Sequence, residues 1–177
     1  MPQSKDQRPP AKRVSDSFTT MCELVMPNDT NPMNNLMGGN MLRWMDIACA
    51  ICAGKHSGRA VVTASVDNVA FGSAIKVGEV ITLEASVTRG FNTSLEVFVE
   101  VFAASMQGTN PRKTHSAYFT FVALNKDNGR PVPTPDVLPL TEIEQQRYES
   151  AIRRRELRLV LAGRMKPEEA IHIKEIF

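Results

Sequence analysis

The sequence predicts an α+β domain in which an antiparallel β-sheet wraps around one long central helix. Three observations carry that expectation: strand-like runs with a two-residue period, one segment whose apolar residues recur at intervals of three and four, and short turn-rich stretches between consecutive strands. At 177 residues the chain is about one domain long, so one core with appendages is expected.

Residues 1–14 are charged and proline-containing and have nothing to bury, so they read as a disordered N-terminal segment, neither signal peptide nor membrane span. From Phe18 to Met26 apolar and polar residues alternate, a half-buried strand that PNDTNP ends. From Gly39 the spacing becomes helical: Met41, Leu42, Met45, Ala48, Cys49 and Cys52 share a face, up to Gly54. The small residues from Ala48 to Gly54 let a sheet approach closely, so this helix should be surrounded rather than superficial.

Four more strands are expected at Ala60–Phe71, Val80–Arg89, Ser94–Ala104 and Lys113–Leu124. Alternation is clear in the last three, as in Leu95, Val97, Val99 and Val101 against Glu96 and Glu100. Turn chemistry in KVGE, RGFN, MQGTNP and NKDNGRP separates or ends them, which makes an antiparallel sheet of neighbours. The domain is therefore bounded at 15–135, and 136–177 is a proline linker with a C-terminal helical extension. There Thr141 and Glu144 form a capping box, Ile143, Tyr148, Ile152, Leu159 and Val160 a helical stripe, and Gly163 a stop; Pro167 opens a last short helix.

Composition excludes some partners. The formal charge is +2, and residues 142–177 balance eight Lys/Arg against seven Glu, so no nucleic acid partner is expected. The Arg153–Arg155 run with Arg158 reads as a solvated, salt-bridged helix face. No run approaches about 18 apolar residues, so no membrane span is expected. Three cysteines argue against a disulfide framework and for a reducing, cytoplasmic location. Cys49 and Cys52 sit mid-helix, away from the helix start a redox pair requires, and read as small core residues. No zinc spacing occurs, so no metal is expected; His56, near the helix end, reads as a cap or surface residue.

The stretch NPMNNLMGGNMLRWMD carries the chemistry. Gly38 and Gly39 place bare N–H groups at a helix start, where unpaired amides and the helix dipole favour a phosphate or a developing oxyanion. Asp46 follows about two turns on, and an acid near an apolar helix face is costly unless paired or functional.

With these residues in place, the chain from about Leu24 to Pro135 resembles the hotdog-fold acyl-CoA thioesterases of the acyl-CoA hydrolase family. The resemblance lies in MPNDTN, the Gly38-Gly39 pair, RWMDIACAICAGKHSGRAVVTASVDNVAF, IKVGE, NTSLEV and FVALNKDNGRPVP, each at its expected place in the order of elements. It implies hydrolysis of acyl-CoA to a carboxylic acid and CoA, with coenzyme A as part of the substrate and no separate cofactor. It implies a homodimer paired edge to edge, often a hexamer as a trimer of dimers, with sites at the dimer interface. It maps a catalytic pair from opposite protomers onto Asn31, orienting water or carbonyl, and Asp46, as general base or nucleophile. The N–H groups around Gly38, Gly39 and Asn40 become oxyanion donors, and Phe71, Arg89, Asn92, Thr93 and Ser94 walls of the CoA groove. Where the family has a further glycine this chain has Asn34, the non-glycine residue most tolerant of left-handed backbone. The alternatives are a non-catalytic acyl-CoA-binding protein of the same fold and a hotdog dehydratase or hydratase; the latter is expected to use a histidine with an acid at the site, and no histidine lies between Met1 and Lys55.

Overall fold

The computed structural model describes residues 8–174. In chain order its elements are β1 (Lys12–Arg13), β2 (Thr19–Leu24), α1 (Gly38–Ser57), β3 (Ala60–Phe71), β4 (Val80–Gly90), β5 (Ser94–Ala104), β6 (Arg112–Leu124), β7 (Val137–Leu138), α2 (Glu142–Leu161) and α3 (Ile171–Lys174). Five strands form one antiparallel sheet in the order β2-β4-β5-β6-β3. The short turns place β4, β5 and β6 side by side, but β3 and β4, consecutive in the chain, are not neighbours: β3 pairs with β6 at the far edge and β2 with β4.

The inner sheet face is the apolar half of each alternation. Leu83, Ala85, Leu95, Val97, Val99, Ala117 and Phe121 are fully buried against Met45, Ala48, Cys49 and Cys52 of α1. Burying each large side chain there contributes about 1.5–3 kcal/mol. The sheet cradles one side of α1 only: Ile47 and Ile51 remain exposed in the single chain, so the helix is not surrounded as the small residues suggested. Gly54 does not stop α1. Gly58 does, with a φ of 64° and its N–H on the Gly54 carbonyl, a left-handed cap.

The outer sheet face is polar, and α2 covers it. Arg154 of α2 reaches fully buried Glu96 of β5 at 2.8 Å, Arg147 reaches Glu100 at 3.0 Å, and Arg158 reaches Asp67 of β3 at 2.7 Å. Of the arginine run, Arg154 and Arg158 are salt-bridged, and to the sheet rather than along a solvated helix face.

The N-terminal segment also departs from expectation. Residues 1–7 lie outside the described residues, but 8–14 are tied down rather than disordered. Lys12–Arg13 pairs in parallel with Val137–Leu138, Arg8 donates to the carbonyls of Thr134 and Gly90, and Val14 is buried. This anchoring uses backbone acceptors and Asp136, which leave no apolar pattern to read. Gly90 is required at the crossing: a Cβ there would lie 2.0 Å from the Pro135 carbonyl oxygen. His56 is fully buried beneath this strap, its Nδ1 3.0 Å from Ser17 Oγ, and burial lowers its pKa. It is a core residue, not a surface one.

Candidate active site

Asp46 sits in the third turn of α1, half-exposed, with its neighbours Met45 and Trp44 buried. Its Oδ1 accepts a hydrogen bond of 2.6 Å from Thr63 Oγ1 on β3. No cation pairs with Asp46 among the described residues. Thr63 was missed by sequence reading, because only the docking of β3 beside α1 brings together residues that are far apart in the chain.

Asn31 lies in the turn after Pro27–Asp29. Its Oδ1 accepts from the backbone N–H groups of Met33 and Asn35 at 3.0 and 3.2 Å, and its own N–H bonds the Asn35 carbonyl. Those two bonds fix which end of the amide is oxygen and leave Nδ2 as the donating end. Asn34 takes a φ of 56°, so it does adopt the left-handed turn geometry.

At the start of α1 the Met37 N–H bonds the Asp29 carbonyl and the Asn40 side chain bonds the same oxygen. Met37 provides no side-chain cap, so the first-turn amides from Gly38 to Asn40 keep the unpaired donors of a helix start. A Cβ on Gly39 would meet nothing within 4 Å, whereas one on Gly38 would lie 3.4 Å from the Phe71 ring. Close packing within the chain therefore does not explain the second glycine. Phe71 is thus placed at the donor end of the helix, edge-on to His115 with ring centroids 5.3 Å apart.

The remaining groove residues are distributed differently. Arg89 is engaged by α2: it donates to the Tyr148 carbonyl and its guanidinium stacks 4.2 Å above that ring. Asn92, Thr93 and Ser94 lie at the β4–β5 turn, with Ser94 opposite Val122 in the register and Val122 opposite Val62. That places the turn two strands, about 10 Å, from the Thr63 end of β3. Cys49 and Cys52 are buried free thiols, the latter pushed up to about 12 by burial, so neither is a nucleophile.

Known proteins share this architecture. Residues 33–109 match the family described as the thioesterase superfamily. The chain is 35% identical over 148 residues to the Bacillus subtilis protein named uncharacterized acyl-CoA thioester hydrolase YkhA, covering 84% of this chain and 86% of that one. An apo-hexameric acyl-CoA thioesterase superposes with a TM-score of 0.82 at 38% identity, over 86% of this chain and 97% of its own. An acyl-CoA hydrolase from Staphylococcus aureus, solved with butyryl coenzyme A, coenzyme A and coenzyme A disulfide, gives 0.80 at 34% identity, over 87% and 95%. That hydrolase has also been solved with an aspartate, a threonine and an asparagine each replaced by alanine. Sequence identity over most of both chains, with matching fold, shows that this chain belongs to the thioesterase superfamily, among its hotdog-fold acyl-CoA hydrolases.

Proposed function

We propose that the chain hydrolyses the thioester of acyl-CoA, releasing a carboxylic acid and coenzyme A, at a site completed by a second copy of the chain. One observation carries the reading: Asp46 is a half-exposed carboxylate whose partner is the neutral hydroxyl of Thr63. A hydroxyl orients the carboxylate without neutralising it, so the second oxygen is left to take a proton from water, or to attack the carbonyl itself. The altered asparagine, aspartate and threonine of the S. aureus hydrolase are separated by 15 and 17 residues, the spacing of Asn31, Asp46 and Thr63 here.

Helix geometry argues for the second copy. The amides of Gly38 to Asn40 precede Asp46 by six to eight residues on one helix, about 9–12 Å along its axis. A carbonyl within reach of Asp46 is too far from those amides to be stabilised by them. Asp46 of one copy therefore works with the Asn31 Nδ2 donor and the Gly39 amide of the other. There the oxyanion forms, the tetrahedral carbon expels the CoA sulfur, and the proton held by Asp46 passes to the leaving thiolate. Phe71, beside the donor amides, walls the reacting end, while Asn92, Thr93 and Ser94 line the nucleotide side. Arg89 helps there only through the α2 contacts it already makes.

The edge of the sheet supports pairing. β3 is a terminal strand with Val62 and Val66 exposed, and Ile47 and Ile51 of α1 are exposed as well. Such an edge invites a partner strand, and hexameric relatives support assembly as a trimer of dimers. No helix among the described residues is long and apolar enough to cross a membrane. Three free thiols suit a cytoplasmic location, and the reaction needs no cofactor beyond the CoA of the substrate.

The test is complementation. Thiol release from a panel of acyl-CoAs is expected to fall strongly in Asn31→Ala and Asp46→Ala chains alone. Mixed with subunit exchange demonstrated, they are expected to regain about a quarter of wild-type turnover, because half the dimers then hold one intact site. No regain would place the site within one chain; no release by the wild type, with acyl-CoA still bound, would make the protein a binding module.

A further inference from the structure

Behind the candidate site, on the outer face of the same edge strand, lies a second feature that shares Ser94 with the proposed groove and whose arginines have no part in the chemical step. A cleft of about 330 Å³ opens between β3, β6 and the C-terminal half of α2, lined by Ser65, Ser94, Thr120, Arg155, Arg158 and Arg164, with no carboxylate in its wall. Its size is that of a small-molecule site. We propose that this cleft binds a phosphoryl-bearing anion.

Two independent observations converge on it. The first is charge. Arg158 is matched by Asp67, but Arg155 and Arg164 have no ion-pair partner among the described residues; Arg155 rests over the Phe91 ring at 5.0 Å, which orients its guanidinium without neutralising it. The carboxylates in this part of the sheet are already committed: Glu96, opposite Thr120 in the register, to Arg154, and Asp67 to Arg158. The second is an orphan. Thr120 is 5% exposed, and its hydroxyl has no hydrogen-bond partner among the described residues. A buried hydroxyl left unpaired costs about 1–3 kcal/mol, and a ligand oxygen arriving from the cleft would satisfy it.

Compensation of the α2 dipole accounts for some positive charge at that helix end. It does not account for an unpaired hydroxyl in the wall of the same cleft as two uncommitted guanidiniums. Arginine forks suit the paired oxygens of a phosphoryl group, and the Ser94 and Thr120 hydroxyls complete a donor set. The assignment stands on the cleft alone; only the source of the anion, the nucleotide end of an acyl-CoA or a separate phosphoanion, rests on the hydrolase reading.

Calorimetric titration of the full chain with adenosine 3′,5′-bisphosphate and with pyrophosphate tests it, wild type beside Arg155→Gln/Arg164→Gln. Binding is expected to weaken about tenfold or more in the double variant, to recover in part with lysine at both positions, and to weaken in wild type as salt is raised. Failure of both probes to bind wild type, or equal binding to wild type and the glutamine variant, overturns the proposal. Two outcomes identify the source. Competition of the bisphosphate with acyl-CoA, with a raised KM for acyl-CoA but not for the same acyl group on pantetheine, assigns the cleft to the substrate's nucleotide; pyrophosphate binding without competition assigns it to a separate anion. Wild type that binds either probe but hydrolyses neither thioester would remove the hydrolase reading and leave the cleft assignment standing.

Discussion

Two carboxylates, Glu96 and Asp46, are held in opposite ways. Glu96 is fully buried on β5, where Arg154 grips it through both Nε and an outer nitrogen and Thr88 Oγ1 donates at 2.6 Å. Asp46 is half-exposed on α1, with the Thr63 hydroxyl as its partner. Glu100 and Asp67, also on the outer face, each meet a cation and so hold α2 or a neighbouring strand to the sheet. An acid met by a neutral hydroxyl keeps its charge uncompensated. On the proposed reading, what separates a structural from a reactive carboxylate here is the kind of partner more than the depth of burial.

Exchanging the two perturbations is the strongest way to break that comparison. Asp46→Ala is expected to lower kcat by about 10²–10⁴-fold and to leave unfolding in urea near that of wild type, since no ion pair is lost. Arg154→Ala is expected to do the converse: it leaves Glu96 buried and unpaired, at a cost of about 3–5 kcal/mol, with kcat per folded molecule retained. Unfolding curves and turnover of both variants decide it. An unstable Asp46→Ala, or an Arg154→Ala as stable as wild type, would erase the distinction.

The same contrast explains what the sequence made legible. The inner face could be read because Leu95, Val97, Val99 and Val101 alternate with Glu96 and Glu100, and an apolar stripe on a strand has one use. Its polar complement is ambiguous: Glu96 and Glu100 look the same whether they meet water or arginines from a helix some fifty residues on. The arginine run of α2 is ambiguous for the same reason, and reads as solvated because its partners lie elsewhere in the chain. Residues 8–14 attach through backbone groups, which a side-chain pattern does not show. At the site, the Gly38-Gly39 pair and Asp46 stand out by residue type, Asn31 was named by resemblance, and Thr63 had no local signal because its role depends on where β3 docks.

A finer test of the Asp46 side removes the hydroxyl and keeps the shape. Thr63→Val takes away one hydrogen bond to a charged group, worth about 1.5–3 kcal/mol, so kcat is expected to fall about 10- to 100-fold with KM for acyl-CoA little changed. Thr63→Ser is expected to retain most turnover, because it keeps the oxygen. Wild-type kcat in the valine variant would show that Asp46 is oriented by something other than Thr63.

The smallest effect belongs to the outer face and is read against pH. Burial pushes the Glu100 carboxyl up, but the Lys113 and Arg147 contacts outweigh it and hold it below its ordinary value of 4.5. A carboxyl whose folded-state pKa is depressed contributes stability that is complete above the unfolded value and is lost as pH falls through the folded one. Wild type should therefore keep the whole contribution of this group between pH 7 and about 5, and should lose it progressively below pH 4.5. Arg147→Gln weakens that dependence. The variant is expected to be less stable than wild type at neutral pH, with the gap narrowing as both are acidified, when urea unfolding is followed at stepped pH. A gap that stays constant down to about pH 3 would mean that Arg147 holds α2 through packing on Phe98, whose ring lies 4.3 Å from its guanidinium, and not through Glu100.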